Sequence, residues 1–454
     1  MAYPDLVVTS RRTVLPDGVR EAAVVVHSGR IAAVVPAGRA PAGGRAVDLG
    51  DAALLPGIVD THAHLNEPGR EAWEGFETGT RAALAGGITT VVDMPLNSIP
   101  ATTTREALDQ KARAAERRCG ADYAFWGGVV PGNAGELEPM LDAGVCGFKC
   151  FLIDSGVPEF PAVGEAELRR AMPILARRGA PLLVHAELEA AAEPASAGEP
   201  RRYASYLASR PRAWENEAVR LMIRLCRETG CPVHVVHLSS SEALADLALA
   251  RREGLPITAE TCPHYLTFSA EEIPDGATQF KCAPPIREAE NRERLWQGLS
   301  DGTLGMIVSD HSPCEPALKR LERGAFAEAW GGIASLQFSL AAAWTGARER
   351  GLGLERLAAW MSEAPAALAG LSAKGRIGPG MDADLVAFEP EAACPTAPSE
   401  VLHKHKLTPY AGRPLLGRVQ RVWLRGETAL EAGRPTGFSG ARQGRTRSAA
   451  RSLT

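Results

Sequence analysis

The chain has 454 residues, of which 45% are hydrophobic and 23% are charged, values that are ordinary for a soluble globular protein. This length exceeds that of one small domain and suits one large domain with a smaller companion. The formal net charge of −4 excludes a broad basic surface, so we expect no nucleic-acid partner, and nothing in the composition indicates a membrane partner.

The cysteine pattern and the N-terminal segment favour a cytoplasmic protein. The nine cysteines are scattered without a CxxC pair, which indicates reduced thiols rather than a zinc ribbon or a dithiol redox site. The segment MAYPDLVVTSRRTVLPDG lacks the apolar core of a signal peptide. No apolar run reaches the length of about 18 residues that a membrane-spanning helix needs.

Residues 1–54 predict the first part of a small β domain. The segments DLVVTS, AAVVVHS and RIAAVVPA are rich in β-branched residues and are separated by turn-forming residues. The sequence His27-Ser28-Gly29 between two of them is typical of a hairpin turn.

Residues 55–373 have a different sequence pattern, in which short apolar runs alternate with longer helical segments such as EALDQKARAAERR. Eight β–α units are what a closed parallel barrel requires, and runs without polar alternation fit strands that are buried on both faces. The sequence therefore predicts an α/β fold of the (β/α)₈ type, the TIM barrel. The eight runs are LLPGIVDTHAH, ITTVVDMP, DYAFWGGVV, VCGFKCFL, PLLVHAE, PVHVVHLSS, ITAETCPHYL and GMIVSDHSP.

Strand-like segments return in residues 374–435, in RIGPGMDADLVAFEP and RVQRVWLRGETAL. We expect them to join residues 1–54 in a discontinuous β-sandwich domain, with the barrel inserted between the two parts. Residues 436–454 end in GARQGRTRSAARSLT, which has four arginines and no acidic residue, and this composition predicts a disordered tail.

Potential metal-binding side chains interrupt five of the eight runs. Alternate side chains of a strand point the same way, so the imidazoles of His62 and His64 face one spot. Barrel enzymes carry their sites at the C-terminal ends of the strands, where imidazole suits zinc and buried lysine or aspartate needs a partner. The sequence therefore predicts a metal site. Its other candidates are Lys149, His185, His237 and Asp310.

Two residues of this group carry further expectations. His234 and His237 differ by an odd number, so we expect His237 to face the barrel and His234 to pack against the helices. Lys149 among metal ligands would have to lose its proton, and its neutral amine could then take up CO₂ as a bridging carbamate. The alternative is a lysine that is paired with an acidic residue.

The motifs GIVDTHAHLNEPGR, GFKCFL, LLVHAE, VHLSS and VSDHSP resemble, in order and spacing, those of the cyclic amidohydrolases, from about Asp5 to about Arg425. This resemblance implies two divalent ions, most often Zn²⁺, with Co²⁺ and Mn²⁺ as alternatives. It assigns His62 and His64 to the first ion, His185 and His237 to the second, and a carboxylated Lys149 (N6-carboxylysine) to the bridge between them. Asp310 would bind the first ion and act as the catalytic base. A homotetramer is also implied.

Among the branches of this family, the sequence resembles the allantoinases most. In dihydroorotases the first motif usually reads HxHxR, and this chain has Asn66 at the position of the arginine. Hydantoinases usually carry a tyrosine at the position that Asp154 holds in this chain. The segments DMPLNSIPAT, FKCFLIDSGVPEFPAV and EAWGGIASLQ are similar to allantoinase sequences. The alternatives are a hydantoinase and, more remotely, an assembly protein of the same fold that has no catalytic activity.

The implied reaction is hydrolytic opening of the ring of allantoin, a step of purine catabolism, to give allantoate. Its substrate is neutral, so we expect recognition by hydrogen bonds rather than by salt bridges. For each candidate contact, stabilisation of a turn or loop is an equally good explanation. Glu187 and His311 are candidates to orient metal-bound imidazoles, and His264 is expected to be mainly structural. The candidate substrate contacts are Asn66, Asn97, Asp154, Ser155, Cys282, Ala283, Gly331 and Gly332.

Overall fold

A computed structural model of the chain describes residues 4–193, 198–437 and 440–444. The strands in chain order are β1 Leu6–Leu15, β2 Gly18–His27, β3 Arg30–Val35, β4 Arg45–Asp48, β5 Ala53–Pro56, β6 Ile58–Ala63, β7 Ile88–Asp93, β8 Asp122–Phe125, β9 Gly127–Gly128, β10 Phe148–Phe151, β11 Leu182–His185, β12 Val233–Val235, β13 Ile257–Thr261, β14 Met306–Ile307, β15 Leu385–Ala393, β16 Leu416–Leu424, β17 Glu427–Glu431 and β18 Arg434–Pro435.

Most of the helices lie between the barrel strands. They are α1 Phe76–Ala85, α2 Arg105–Ala115, α3 Leu137–Asp142, α4 Glu165–Arg178, α5 Tyr203–Ala208, α6 Arg212–Thr229, α7 Leu244–Arg252, α8 Pro263–Thr267, α9 Ala289–Ser300, α10 Ser339–Glu349, α11 Leu354–Ala358 and α12 Ala364–Leu368. A π-helical turn, Ala359–Glu363, joins α11 to α12. Within the described ranges, no helix combines the length and the apolar character needed to cross a bilayer.

The predicted barrel is confirmed. Strands β6 to β14 pair in parallel with their neighbours in chain order, and β8 and β9 are two parts of one barrel strand separated only by Trp126. The ring closes where His311, just beyond β14, bridges Ala63 at the end of β6. Each of the eight predicted runs contains one barrel strand, and the first run also contains most of β5. Apolar runs that are buried on both faces are what a parallel barrel needs.

Strands from both chain ends form the second unit, as predicted. Its nine strands are linked in one mostly antiparallel sheet, in which β5 pairs with β15 and thereby joins the N-terminal part to the C-terminal part. Leu54, Leu385 and Trp423 pack together in its core and are almost completely buried. The boundaries at 54/55 and 373/374 stay predictions, and β5 crosses the first of them.

The predicted disordered tail is described only in part. Gln443 forms a parallel bridge with Tyr123, and the N–H groups of Arg442 and Gly444 donate to Asp122 Oδ1 at 2.8 Å and to Tyr123 O at 2.7 Å. Residues 440–444 therefore have hydrogen-bond partners at the start of β8 that composition does not reveal, and disorder of the tail stays a prediction. Residues 438–439 and 445–454 of the predicted tail lie outside the described residues.

A buried charge cluster, which we call the basal cluster, joins the two units at the N-terminal end of the barrel. It consists of Lys374, Asp122, Asp384 and Arg425. The Lys374 ammonium lies 2.8 Å from Asp122 Oδ2 and 2.5 Å from Asp384 Oδ2, and Arg425 also pairs with Asp122. Burial alone would lower the pKa of Lys374, but the two carboxylates raise it above its ordinary value. The basal cluster is thus a paired structural network.

Candidate active site

The six predicted ligand side chains converge at the C-terminal mouth of the barrel. His62 and His185 lie at the C-terminal ends of β6 and β11, and Lys149 lies within the short strand β10. His237 and Asp310 follow β12 and β14 within three residues. We call the six residues His62, His64, Lys149, His185, His237 and Asp310 the mouth cluster. Parallel strands of a barrel end on one face, so side chains from distant parts of the chain meet there.

The distances within the mouth cluster are short. His62 Nε2 lies 3.1 Å from both Lys149 Nζ and Asp310 Oδ1, and His64 Nε2 lies 3.9 Å from the same Asp310 oxygen. The His237 ring centre is 5.3 Å from that of His62 and 4.6 Å from that of His185. One group of polar atoms therefore links all five contributing strands.

Burial determines the charges of the mouth cluster. All six residues are buried, and loss of solvent lowers the pKa of the imidazoles well below its ordinary value at His62, His64 and His237. Burial also lowers the pKa of the Lys149 amine and raises that of the Asp310 carboxyl. The imidazoles are therefore neutral, which is the form that binds metal ions.

The backbone is unusual at the same place. Asn66, Asn97, His237 and Asp310 have φ between 40° and 68°, in the left-handed region that residues with a Cβ seldom adopt. Each such residue costs about 1–3 kcal/mol and persists only where the surrounding structure imposes it. At His237 this conformation breaks the alternation of side chains at the end of β12.

That break makes the sequence-based expectation for His234 wrong. His234 lies inside the barrel and not against the helices, because its Nε2–H donates to Glu260 Oε2 at 2.9 Å and its Nδ1 lies 2.7 Å from Thr258 Oγ1. The odd separation between His234 and His237 would place them on opposite faces only in a regular strand. The left-handed residue His237 lets both imidazoles face inwards.

Glu260 is a site residue that the sequence analysis missed. It is fully buried, it accepts a hydrogen bond from His62 Nδ1 and from His234, and it accepts the His237 N–H at 3.2 Å. A carboxylate can only accept, so the proton of His62 sits on Nδ1 and the lone pair of Nε2 faces the mouth cluster. An acidic residue inside the apolar run ITAETCPHYL is the sequence signal that points to Glu260.

A second carboxylate orients His185. His185 Nε2–H donates to Glu187 Oε2 at 2.7 Å, which leaves the Nδ1 lone pair free. Burial alone would raise the pKa of Glu187, but Arg210 and His185 lower it to about 2. The orienting role that the sequence suggested for Glu187 agrees with this contact, whereas the sequence analysis did not single out Arg210.

The side chains of His311 and His264 form no hydrogen bond with the predicted imidazole ligands among the described residues, and His311 touches His64 only through its main-chain oxygen, which accepts the His64 N–H at 2.7 Å. His311 Nδ1 accepts the Ser335 N–H at 3.0 Å, and its Nε2 lies 3.4 Å from a Glu74 oxygen. His264 is fully buried, and neither ring nitrogen has a hydrogen-bond partner among the described residues. The orienting role suggested for His311 is therefore wrong for the described contacts.

A cavity of about 310 Å³ opens above the mouth cluster. Its wall includes the predicted contacts Asn97, Asp154, Ser155, Ala283 and Gly331. It also includes residues that the sequence analysis missed, among them Phe151, Tyr206, Arg210, Lys281, Ser312 and Trp330. The cavity can hold a small molecule directly against the reactive side chains.

Three predicted contacts do not line this cavity. The Asn66 amide is directed to Pro313 O at 3.4 Å, and Cys282 is buried while its carbonyl accepts the Tyr206 hydroxyl at 2.6 Å. The Gly332 N–H donates a hydrogen bond to Lys281 O at 2.9 Å. The polar atoms of these three residues are thus hydrogen-bonded to other protein groups. The spacing of residues in the sequence does not reveal such partners.

The mouth cluster fits a divalent cation. Ligand atoms of His62, His64 and Asp310 all lie within 4.8 Å of one another. The Nε2 atoms of His62 and His64 lie 3.1 Å and 3.9 Å from Asp310 Oδ1, so two imidazole nitrogens and a carboxylate oxygen face one spot. Neutral imidazoles with a carboxylate form a donor set that zinc and similar ions accept.

Comparison with known proteins identifies the family. Residues 53–429 match the amidohydrolase family. The chain is 50% identical to an allantoinase of Streptomyces avermitilis over 95% of this chain and 97% of that protein. It is 48% identical to an allantoinase of Saccharomyces cerevisiae over 82% of each chain.

A solved structure agrees over the whole length. The L-hydantoinase (dihydropyrimidinase) of Arthrobacter aurescens superposes with a TM-score of 0.91 and 33% identity, over 98% of this chain and 100% of that one. The resemblance inferred from the motifs is thus confirmed. The chain is a hydrolase and belongs to the amidohydrolase family.

Proposed function

We propose that this enzyme opens the hydantoin ring of allantoin by hydrolysis to give allantoate, a step of purine catabolism. The observation that carries the proposal is the mouth cluster of neutral imidazoles, a lysine and a carboxylate beneath a cavity for a small molecule. The identity to proteins named allantoinase over almost the whole chain supports allantoin as the substrate.

We further propose that the mouth cluster holds two divalent ions, with Zn²⁺ as the expected metal. His62 and His64 would hold one ion together with Asp310, and His185 and His237 would hold the other. Lys149, carboxylated by CO₂, would bridge the two, and the low pKa of its buried amine supports that reaction. Such a pair of ions polarises a carbonyl group and lowers the pKa of water enough for attack at neutral pH.

Asp310 then acts as the base and acid of the reaction. It accepts a proton from the attacking water and later delivers it to the ring nitrogen that leaves. Its position 3.1 Å from His62 Nε2 supports this role, because it lies at the centre of the cluster and beside the cavity. Glu260 and Glu187 hold His62 and His185 in the orientation that the site requires.

Recognition of the neutral ring is assigned to the cavity wall. Asn97, Asp154 and Ser155 lie on one part of it, and Ala283 and Gly331 lie on another. A neutral cyclic ureide presents both N–H donors and carbonyl acceptors, so amide, hydroxyl and main-chain groups suit it.

The cellular setting is part of the same proposal. All nine cysteines are free thiols, which supports a reducing compartment, and we propose the cytoplasm. We propose a homotetramer, which is what the resemblance to cyclic amidohydrolases implies.

The decisive experiment compares ring-opening rates on allantoin, hydantoin, dihydrouracil and dihydroorotate with metal-replete enzyme. We expect the highest kcat/KM on allantoin and about two divalent ions per chain by elemental analysis. Preference for dihydrouracil or unsubstituted hydantoin would instead favour a hydantoinase, the class of the structural relative. Absence of bound metal together with absence of turnover would favour an assembly protein without catalytic activity.

A further inference from the structure

Arg210 is a cavity residue to which the proposed reaction assigns no task. It lies in the short connection between α5 and α6, and its side chain is 20% exposed on the cavity wall. Its Nε–H donates to Glu187 Oε1 at 3.1 Å, and its Nη2–H donates to Glu187 Oε2. One edge of the guanidinium group is therefore occupied by a fully buried carboxylate.

The remaining edge has no such partner. Among the described residues, no acceptor lies within hydrogen-bond distance of Arg210 Nη1. The guanidinium plane cannot easily turn, because Glu187 holds two of its donors and the Trp214 ring lies 5.7 Å from its central carbon. Arg210 thus brings to the cavity wall a fixed guanidinium group whose Nη1 has no acceptor among the described residues.

The surroundings favour an acceptor on the ligand. The Lys281 ammonium also lies on this wall, where it donates to Ala329 O at 2.6 Å and lies 5.1 Å from the centre of the Tyr206 ring. Cations and donors therefore dominate this part of the wall. Arg210 holds Glu187, which in turn holds His185, and it makes no hydrogen bond with Asp310 among the described residues. We therefore expect it to meet a part of the ligand away from the reacting bond.

We propose that Arg210 is a specificity-determining residue, whose free edge hydrogen-bonds the carbonyl oxygen of the ureido substituent on the substrate ring. This inference rests on the proposed function, since allantoin is a hydantoin ring that carries such a substituent. A wall that presents a charged donor favours a ring that carries the substituent, because only that ring can replace the water at the donor with a charge-assisted hydrogen bond.

The test is Arg210→Lys, which keeps a positive charge beside Glu187 but removes the second, rigid edge. We expect kcat/KM for allantoin to fall roughly 10- to 100-fold, the range for loss of one hydrogen bond to a charged group. Binding of unsubstituted hydantoin should change less than about threefold, whether measured as KM or, where it is not turned over, as Ki. Metal content should stay that of the unaltered enzyme.

Arg350→Lys is the matched control. Arg350 likewise holds a carboxylate through two donors, with Nε 3.0 Å from Glu293 Oε2 and Nη2 2.6 Å from Glu293 Oε1, and its central carbon lies 4.8 Å from the Trp296 ring, but it does not line the cavity. We expect this variant to lose stability without a change in the ratio of allantoin to hydantoin binding. A ratio that shifts equally in both variants would overturn the proposal.

A measurement on the unaltered enzyme does not depend on folding of a variant. Inhibition by 5-acetamidohydantoin, which keeps the substituent carbonyl, should be at least about tenfold stronger than by 5-propylhydantoin, which lacks it. Equal inhibition constants would overturn the role of Arg210 while leaving allantoin hydrolysis intact. Failure of the unaltered enzyme to open allantoin would overturn the proposed function and this inference together.

Discussion

The mouth cluster and the basal cluster are two buried groups of charges at opposite ends of one barrel. In the basal cluster the charges are matched, because Lys374 and Arg425 each contact the carboxylate of Asp122. In the mouth cluster the Lys149 amine lies 3.1 Å from a histidine nitrogen, and two other histidine nitrogens lack partners among the described residues. Both clusters are buried, but the cations of the basal cluster contact carboxylates, whereas the Lys149 amine contacts a histidine.

The difference separates stability from function. Burial of a polar group without a partner costs free energy, so several such groups beneath a cavity favour a place where a ligand supplies the partner. The pKa directions agree, since burial lowers the pKa of Lys149, whereas two carboxylates raise that of Lys374 despite burial. Substitutions at the mouth should therefore change activity, and substitutions at the base should change the free energy of unfolding.

The largest effect on activity is expected at Lys149. Lys149→Ala should reduce turnover to that of the metal-depleted enzyme, because the proposed bridge between two metal ions would be lost, and metal content should fall with it. Without metal, the variant should unfold at a temperature no lower than the unaltered chain, because a buried amine without an acidic partner has been removed. Normal turnover in Lys149→Arg, which cannot form this carbamate, would contradict the bridging role.

Asp310→Asn should have the next largest effect. The amide keeps an oxygen near the cluster but cannot accept the proton, so kcat should fall about 10²- to 10⁴-fold. kcat/KM should fall in parallel, because the lost interaction belongs to the transition state. Metal count and turnover are measured on one preparation, and near-normal kcat at full metal occupancy would show that Asp310 only shapes the site.

A smaller effect is expected at Glu260, which contacts His62 but does not line the cavity. Glu260→Gln should weaken metal binding by about 10- to 100-fold, the usual consequence of losing the carboxylate that orients a metal-bound histidine. Competition with a chelator measures this affinity, and turnover should recover when metal is added in excess. Unchanged metal affinity would place Glu260 outside the functional site.

The smallest effect on activity is expected at Lys374. Lys374→Met leaves Asp384 and Asp122 buried with less positive charge, so the free energy of unfolding should fall by about 3–5 kcal/mol. kcat per folded molecule should stay constant. Arg81→Ala, which breaks an exposed pair with Glu77, is the control and should cost no more than ~1 kcal/mol in denaturant titration. Loss of turnover in folded Lys374→Met would contradict the view that the basal cluster affects stability and not activity.

Much of the molecule could be predicted before the structure was known. Eight apolar runs predicted eight barrel strands, because burial on both faces leaves a recognisable pattern. The six residues of the mouth cluster could be identified because a polar side chain in a buried apolar run is costly unless it has a partner or a ligand. Their proximity agrees with the prediction, while their roles as ligands stay predictions.

Errors arose where geometry departs from regular strands or where partners come from loops. His234 was placed against the helices because alternation was assumed to continue through His237, whose φ of 40° interrupts it. Arg210 was missed because a connection between helices has no periodicity that reveals which side chains reach the cavity.

The sequence by itself determined the strand order, the barrel and the residue types of its mouth, since these follow from local patterns of apolar and polar residues. Only the tertiary structure decided which polar atoms stay without partners. Whether a carboxylate such as Glu260 holds a histidine, or a guanidinium such as that of Arg210 keeps a free edge, depends on a few ångströms between distant segments. Such distances are set by packing of the whole chain, and no local pattern encodes them.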